Sequence, residues 1–271
     1  MEIIQYIQNN TFQIGCILVC LFLIYYFIYL YPKPMTIKRV QPMKVIKIDF
    51  VDFWPSFKKT NNYFIHLLRR YSNHHYINDT NNPEILFVNI PLHTTQLKKS
   101  SKVVGFIGEP QFKPNPNYHL NLTFDLTKNN NIRFPLWLIW IKTPEIFPDK
   151  KLQLYESPKS KFCCWVASNC HNNSTTHNGY RLDFVKELST YKTVDCGGSC
   201  LNNIGYKVDD KIKFQKDYKF CVAFENTKQR GYTTEKILNA YQSNCIPIYF
   251  GNEMVQQDFN PETFINAHDF N

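Results

Sequence analysis

The chain has 271 residues, of which 44% are hydrophobic and 16% aromatic, enough for one large or two small packed domains and too much for a disordered segment. Its formal net charge of +9 suits an anionic partner: nucleic acid, anionic lipid or a nucleotide-linked small molecule. The basic residues are scattered, with no stripe of them interleaved with exposed aromatics, which argues against nucleic acid.

Taken in order, residues 1–31 form the first organised segment. Ile14 to Tyr31 is an uncharged apolar run about long enough to cross a bilayer as a helix, with Tyr25, Tyr26, Tyr29 and Tyr31 toward one end as in an interfacial belt. A cleaved signal peptide would need a basic start and a small-residue cleavage site, and both are missing, so residues 14–31 are expected to be a retained membrane anchor. Lys33, Lys38, Arg39, Lys44 and Lys47 follow the run and no Lys or Arg precedes it, which by the positive-inside rule leaves the body in the cytosol. Residues 32–44, with three prolines, read as a stem.

From residue 45 to about 155 the chain alternates strand-like and helix-like stretches. Val45 to Trp54 opens with a strand, Tyr63, Phe64, Leu67 and Leu68 share a helical face, and Ile85–Val88 and Lys102–Gly108 are strands again. This is the pattern of an α/β half-domain. Gly108-Glu109 ends the last of these strands, which places a carboxylate at a sheet edge. His74 and His75 fall in a polar turn and are not expected to bind metal.

A second half-domain covers 156–271. Phe162 to Ala167 is an apolar strand ending in Ser168-Asn169, and Gly179 to Leu188 reads as a helix packing Leu182, Val185 and Leu188, with Arg181 in its first turn. Phe220 to Phe224 is a buried strand running to Glu225-Asn226. A polar, basic loop follows (Thr227-Lys-Gln-Arg-Gly231), and then a helix with Ile237, Leu238, Ala240 and Tyr241 on one face and Thr233 or Thr234 as N-cap. Cys245 to Phe250 is the next strand. Strand, loop, helix and strand make one parallel unit, whose loop end favours an anion through free amides and the helix dipole. The carboxylates, Lys, Arg and Tyr gathered there suit a phosphorylated, hydroxyl-rich ligand.

The segment Phe224-Glu225-Asn226-Thr227, then Gly231-Tyr232-Thr233-Thr234-Glu235-Lys236, then Ile246-Pro-Ile-Tyr-Phe-Gly251 and Asp258 to Phe270 resembles the donor-binding signature of the α-1,3-fucosyltransferases, glycosyltransferase family ten. That pattern has Ser at 227 and Val at 233. Leu122 to Asp125, Ile132 to Pro135 and Tyr191 to Gly198 also resemble the family. The resemblance implies two Rossmann-like domains in a GT-B arrangement behind an N-terminal transmembrane helix. It also implies inverting transfer of L-fucose from GDP-fucose to an acceptor oligosaccharide or glycoprotein, with no obligatory cofactor or metal. By the same resemblance Glu109 is the catalytic base, and Ser168, Asn169, Arg181, Glu225, Asn226, Tyr232, Glu235 and Lys236 bind the donor: Arg181 and Lys236 neutralise the diphosphate, and Tyr232 and Glu235 hold guanosine or sugar hydroxyls. It implies a lumenal, Golgi-type location, opposite to the charge bias. The residues leave open another nucleotide-sugar donor, or a membrane-anchored pseudoenzyme. The chain stops at Asn271, where the family usually continues through further helices.

Of nine cysteines, Cys196 and Cys200 have no matching His or second Cys pair, so zinc is not expected. Buried free thiols are the expectation, with a disulfide open in a lumen. Sequons at Asn9, Asn78, Asn121, Asn172 and Asn173 are mostly what chance gives in an Asn-rich chain.

Overall fold

The structure is a computed structural model and describes residues 44–90, 101–110, 112–140, 159–168 and 179–270. The expected membrane run at 14–31, residues 32–43 of the stem, the boundary at 155 and Asn169 lie outside the described residues. Among the described residues no helix is long and apolar enough to cross a membrane.

The chain divides by its contacts into two units. One comprises residues up to Ile107 with Lys113–Asn121, and the other comprises Gly108–Phe112 with Leu122–Asn271. In the first, β1 (Val45–Val51), β2 (His75–Asn78), β3 (Ile85–Ile90) and β4 (Lys102–Ile107) pair in parallel in the order β2-β1-β3-β4. The sheet continues through β5 (Leu120–Thr123) and β6 (Asn131–Arg133), and the division between units runs through β5. All but the ends of β3 and β4 are buried, as expected of a parallel sheet whose strands read as near-continuous apolar runs. Helix α1 (Tyr63–Tyr71) is capped by Asn62, whose side chain accepts from the Ile65 amide, and it buries Phe64, Ile65, Leu67 and Leu68. Phe50 stacks on Phe87 at 5.0 Å and Phe64 meets both rings, so the expected apolar face becomes an aromatic core.

The histidine pair is not a turn. His74 is buried and His75 begins β2, because pairing with β1 supplies the backbone partners that the local sequence lacks.

In the second unit, β7 (Lys161–Trp165), β8 (Val194–Cys196), β9 (Tyr218–Phe224), β10 (Ile246–Phe250) and β11 (Ile265–Asn266) form a sheet in the order β11-β10-β9-β7-β8, and every pair is parallel. Helix α2 (Gly179–Tyr191) follows β7 and packs Leu182, Val185 and Leu188 against Cys163, Trp165, Val222 and Phe224. The short α3 (Lys211–Gln215) precedes β9 and is capped by Asp210; α4 (Glu235–Gln242) links β9 to β10. Cys163, Cys164, Cys196, Cys221 and Cys245 are buried free thiols, but Cys200 is disulfide-bonded, so the expectation of free thiols fails at that position. Two sequon side chains are engaged by neighbours: the partly exposed Asn78 donates to Ile48 and Asp49, and the fully buried Asn121 donates to Asn115.

Candidate active site

The strand order fixes where a ligand can bind in the second unit. From β7 the chain winds one way to β8, then returns to the other side of β7 for β9, β10 and β11. The reversal between β7 and β9 opens a crevice at their carboxyl ends, the usual ligand position in an open parallel sheet. Ser168 lies exposed just beyond β7, Glu225 and Asn226 lie just beyond β9, and Arg181 is in the first turn of α2.

Arg181 and Asn226 are 45 residues apart, yet the Arg181 Nη1 donates to Asn226 Oδ1 at 2.6 Å. The guanidinium is buried and lies 5.7 Å over the Trp165 ring. Burial lowers its pKa, and Glu225 and Tyr232 oppose that shift; the group keeps its charge. It is a fixed cation at the crevice.

Glu225 is 2% exposed, and both of its oxygens are engaged. Oε1 accepts from the Thr234 amide at 2.7 Å; Oε2 accepts from the Thr234 hydroxyl at 2.7 Å and from Lys236 Nζ at 3.0 Å. Its placement is that of a brace inside the loop, carrying Lys236 and the start of α4. The helix begins at Glu235 with Thr234 as N-cap residue, yet the Thr234 hydroxyl turns to Glu225 instead of capping. Lys236 also donates to Thr234 Oγ1 at 2.9 Å and lies 3.8 Å from Glu235. Burial alone would lower the Lys236 pKa, but Glu225 and Glu235 more than reverse this and raise it. Burial likewise pushes Glu235 up, and Lys236 with the helix-start amides brings it below the ordinary range.

Two glycines make this geometry possible. Gly231 has φ +82, and a Cβ there would sit 2.0 Å from the Phe124 carbonyl oxygen. Gly251 has φ +146, and a Cβ would lie 2.6 Å from the Glu225 Cβ. Tyr232 is 3% exposed and packs edge-on against Phe124 at 5.4 Å. Burial, then the nearby Glu225, Glu109 and Glu235, push its hydroxyl well above the usual range, so it remains protonated.

Glu109 belongs to the same contact unit as this loop. More than a third of the residue is exposed, yet desolvation raises its pKa; Lys236 works against the rise and Glu235 adds to it. A carboxylate with a raised pKa and a free face can accept a proton near neutral pH. The structure therefore brings Glu109, Arg181, Asn226, Tyr232, Glu235 and Lys236 into one electrostatic neighbourhood, with Glu225 beneath them. Among the described residues no three His, Cys, Asp or Glu side chains are grouped to hold a metal ion. The sequence reading missed Asn252, a buried residue that grips the loop; its only signal is an asparagine directly after the glycine that follows β10.

Two family models match the chain. The model for the glycosyltransferase family 10 (fucosyltransferase) C-terminal region matches residues 156–271, and that for the alpha-(1,3)-fucosyltransferase FucT N-terminal domain matches residues 48–140. The chain belongs to glycosyltransferase family 10. Within this family it is 46% identical over 112 residues to alpha-(1,3)-fucosyltransferase FucT of Helicobacter pylori, a match covering 41% of this chain and 22% of that protein. It is 26% identical over 193 residues to alpha-(1,3)-fucosyltransferase B of Drosophila melanogaster, covering 64% and 41%. A crystal structure of an alpha1,3-fucosyltransferase with GDP-fucose superposes with a TM-score of 0.68 at 29% identity, covering 88% of this chain and 77% of that one. Its α/β fold with parallel sheets is thus shared with solved members of family 10, while the matched part spans about a fifth to two fifths of the curated relatives named here.

Proposed function

We propose that this family 10 chain transfers L-fucose from GDP-fucose to a hydroxyl of an acceptor glycan, in α-1,3 linkage and with inversion at the anomeric carbon. The observation that carries the reading is the pair of anchored cations at the strand-order reversal: the buried Arg181 held by Asn226, and the partly buried Lys236 held by Glu225. Two cations held in place in this way suit a diphosphate, whose developing charge they would stabilise as it leaves. In the step, the acceptor oxygen forms a bond to the anomeric carbon while the bond from that carbon to the diphosphate oxygen breaks, and GDP departs with the electron pair. Glu109 takes the acceptor hydroxyl proton. Tyr232 and Glu235 supply hydrogen bonds to guanosine or sugar hydroxyls, and Ser168, exposed just beyond β7, is a further donor contact.

Two parallel-sheet units and the likeness to solved fucosyltransferases support the GT-B class. The uncharged run at 14–31 supports a single-pass anchor; the family resemblance favours a Golgi-type membrane with a lumenal catalytic body, whereas the basic residues after the run favour a cytosolic one. The test is GDP release and product formation by the full chain with GDP-fucose and an N-acetyllactosamine acceptor, with GDP-mannose and UDP-galactose as controls. Transfer from GDP-fucose alone supports the assignment; a preference for either control donor, or no GDP binding, overturns it.

A further inference from the structure

Asn252 follows β10 and is wholly buried, so it cannot touch a ligand. Its side chain nevertheless reaches into the signature loop. Oδ1 accepts from the Gly231 amide at 2.6 Å and from the Met254 amide at 2.9 Å; Nδ2 donates to the Thr233 hydroxyl at 2.9 Å. Tyr249 closes the set: its hydroxyl is 3.2 Å from Thr233 Oγ1 and accepts from the Asn252 amide at 3.2 Å. The Thr233 carbonyl accepts from the Trp137 amide at 2.9 Å, so the residue is held from both sides.

We propose that Asn252, with Thr233 and Tyr249, is a positioning set that fixes the Gly231–Thr234 backbone so that Tyr232 and Lys236 face the nucleotide; this rests on the donor-site reading above. Gly231, at φ +82, has the largest conformational freedom in the loop and is the residue whose amide Asn252 pins. Without that acceptor the Gly231 amide is buried and unpaired, and the loop relaxes away from the orientation that Glu225 imposes from the other end.

The test compares wild type with Asn252→Ala, Asn252→Asp and Thr233→Val, reading the GDP dissociation constant by calorimetry, the melting temperature, and amide hydrogen exchange over 229–236. Asn252→Ala should weaken GDP binding about tenfold, the loss of one hydrogen bond's net worth, and speed exchange in that segment alone. Asn252→Asp keeps the Oδ1 acceptor and should retain more affinity than the alanine variant even though a buried carboxylate lowers its melting temperature. A purely structural role predicts the opposite, affinity falling in step with melting temperature, and that result overturns the proposal. Affinity of Asn252→Ala within about twofold of wild type also overturns it. Should Asn252→Ala fail to fold, Thr233→Val decides: weaker GDP binding with faster exchange supports the lock, and no change in either refutes it. Wild-type protein that binds no GDP counts against the donor reading; exchange over 229–236 then judges the lock by itself, and unchanged protection refutes it.

Discussion

Replacing Glu225 by glutamine keeps the shape of the side chain and removes its charge. The wild-type carboxylate, with no exposed side-chain surface, serves three donors: the Thr234 amide, the Thr234 hydroxyl and Lys236 Nζ, whose own side chain is 16% exposed. Removing one member of a buried ion pair costs about 3–5 kcal/mol. Lys236 retains Glu235 at 3.8 Å and some solvent, which brings the charge contribution down to roughly 2 kcal/mol. Glutamine offers one acceptor oxygen where the carboxylate has two, so one of the Thr234 donors loses its partner for about 1 kcal/mol more. The sum, about 3 kcal/mol, corresponds to a drop of roughly 6–12 °C in melting temperature for a unit of this size. Differential scanning fluorimetry at pH 7 measures it. The exposed Lys228–Glu253 pair, at 2.8 Å, is the control, and Glu253→Gln should leave the midpoint unchanged. The pH dependence carries a second sign. The Lys236 pKa is raised on folding, so its contribution is complete below the ordinary lysine value and disappears as pH rises through the higher folded value. Glu225→Gln should therefore flatten the alkaline limb of the stability curve. A variant that melts with the wild type, or keeps its alkaline limb, would refute the bracing role of Glu225.

Glu109→Gln should abolish turnover and leave GDP affinity intact. In the wild type, kcat/KM should fall with acid through a pKa above the ordinary glutamate value, since the base must be ionised. The same raised pKa means that ionised Glu109 works against the fold, so the glutamine variant should melt no lower than wild type. Arg181→Lys loses the planar contact with Asn226 and the stack on Trp165, and isothermal titration should find GDP bound about ten- to a hundredfold more weakly. In Gly231→Ala, the left-handed backbone costs about 1–2 kcal/mol before the clash with the Phe124 carbonyl is counted. GDP binding should fall even where circular dichroism reports an intact fold; unchanged affinity would mean the loop tolerates displacement.

The sequence by itself determined β7, β9, β10, α2 and α4 of the second unit, but not the short β8, α3 and β11. Phe220–Phe224 and Ile246–Phe250 are apolar runs bounded by polar residues, and Ile237, Leu238 and Ala240 repeat at helical spacing, so local composition and periodicity suffice to find them. The signature residues were legible through their resemblance to the fucosyltransferase pattern, helped by their position at strand tips and a helix start. The tertiary structure alone decided their work. Glu225 reads in sequence as one more ligand to the donor, and only its burial against Thr234 and Lys236 turns it into a brace. The helix starts at Glu235 with Thr234 as N-cap residue, as the sequence suggests, but only the structure shows that the Thr234 hydroxyl is taken by Glu225 and that Gly231 and Thr233 are held by Asn252 and Trp137. The contact of Arg181 with Asn226 and the winding reversal between β7 and β9 join residues far apart in the chain. Periodicity reports what a residue's near neighbours do; which distant strand lies alongside is set by burying whole faces of the sheet together, and that is where this site is made.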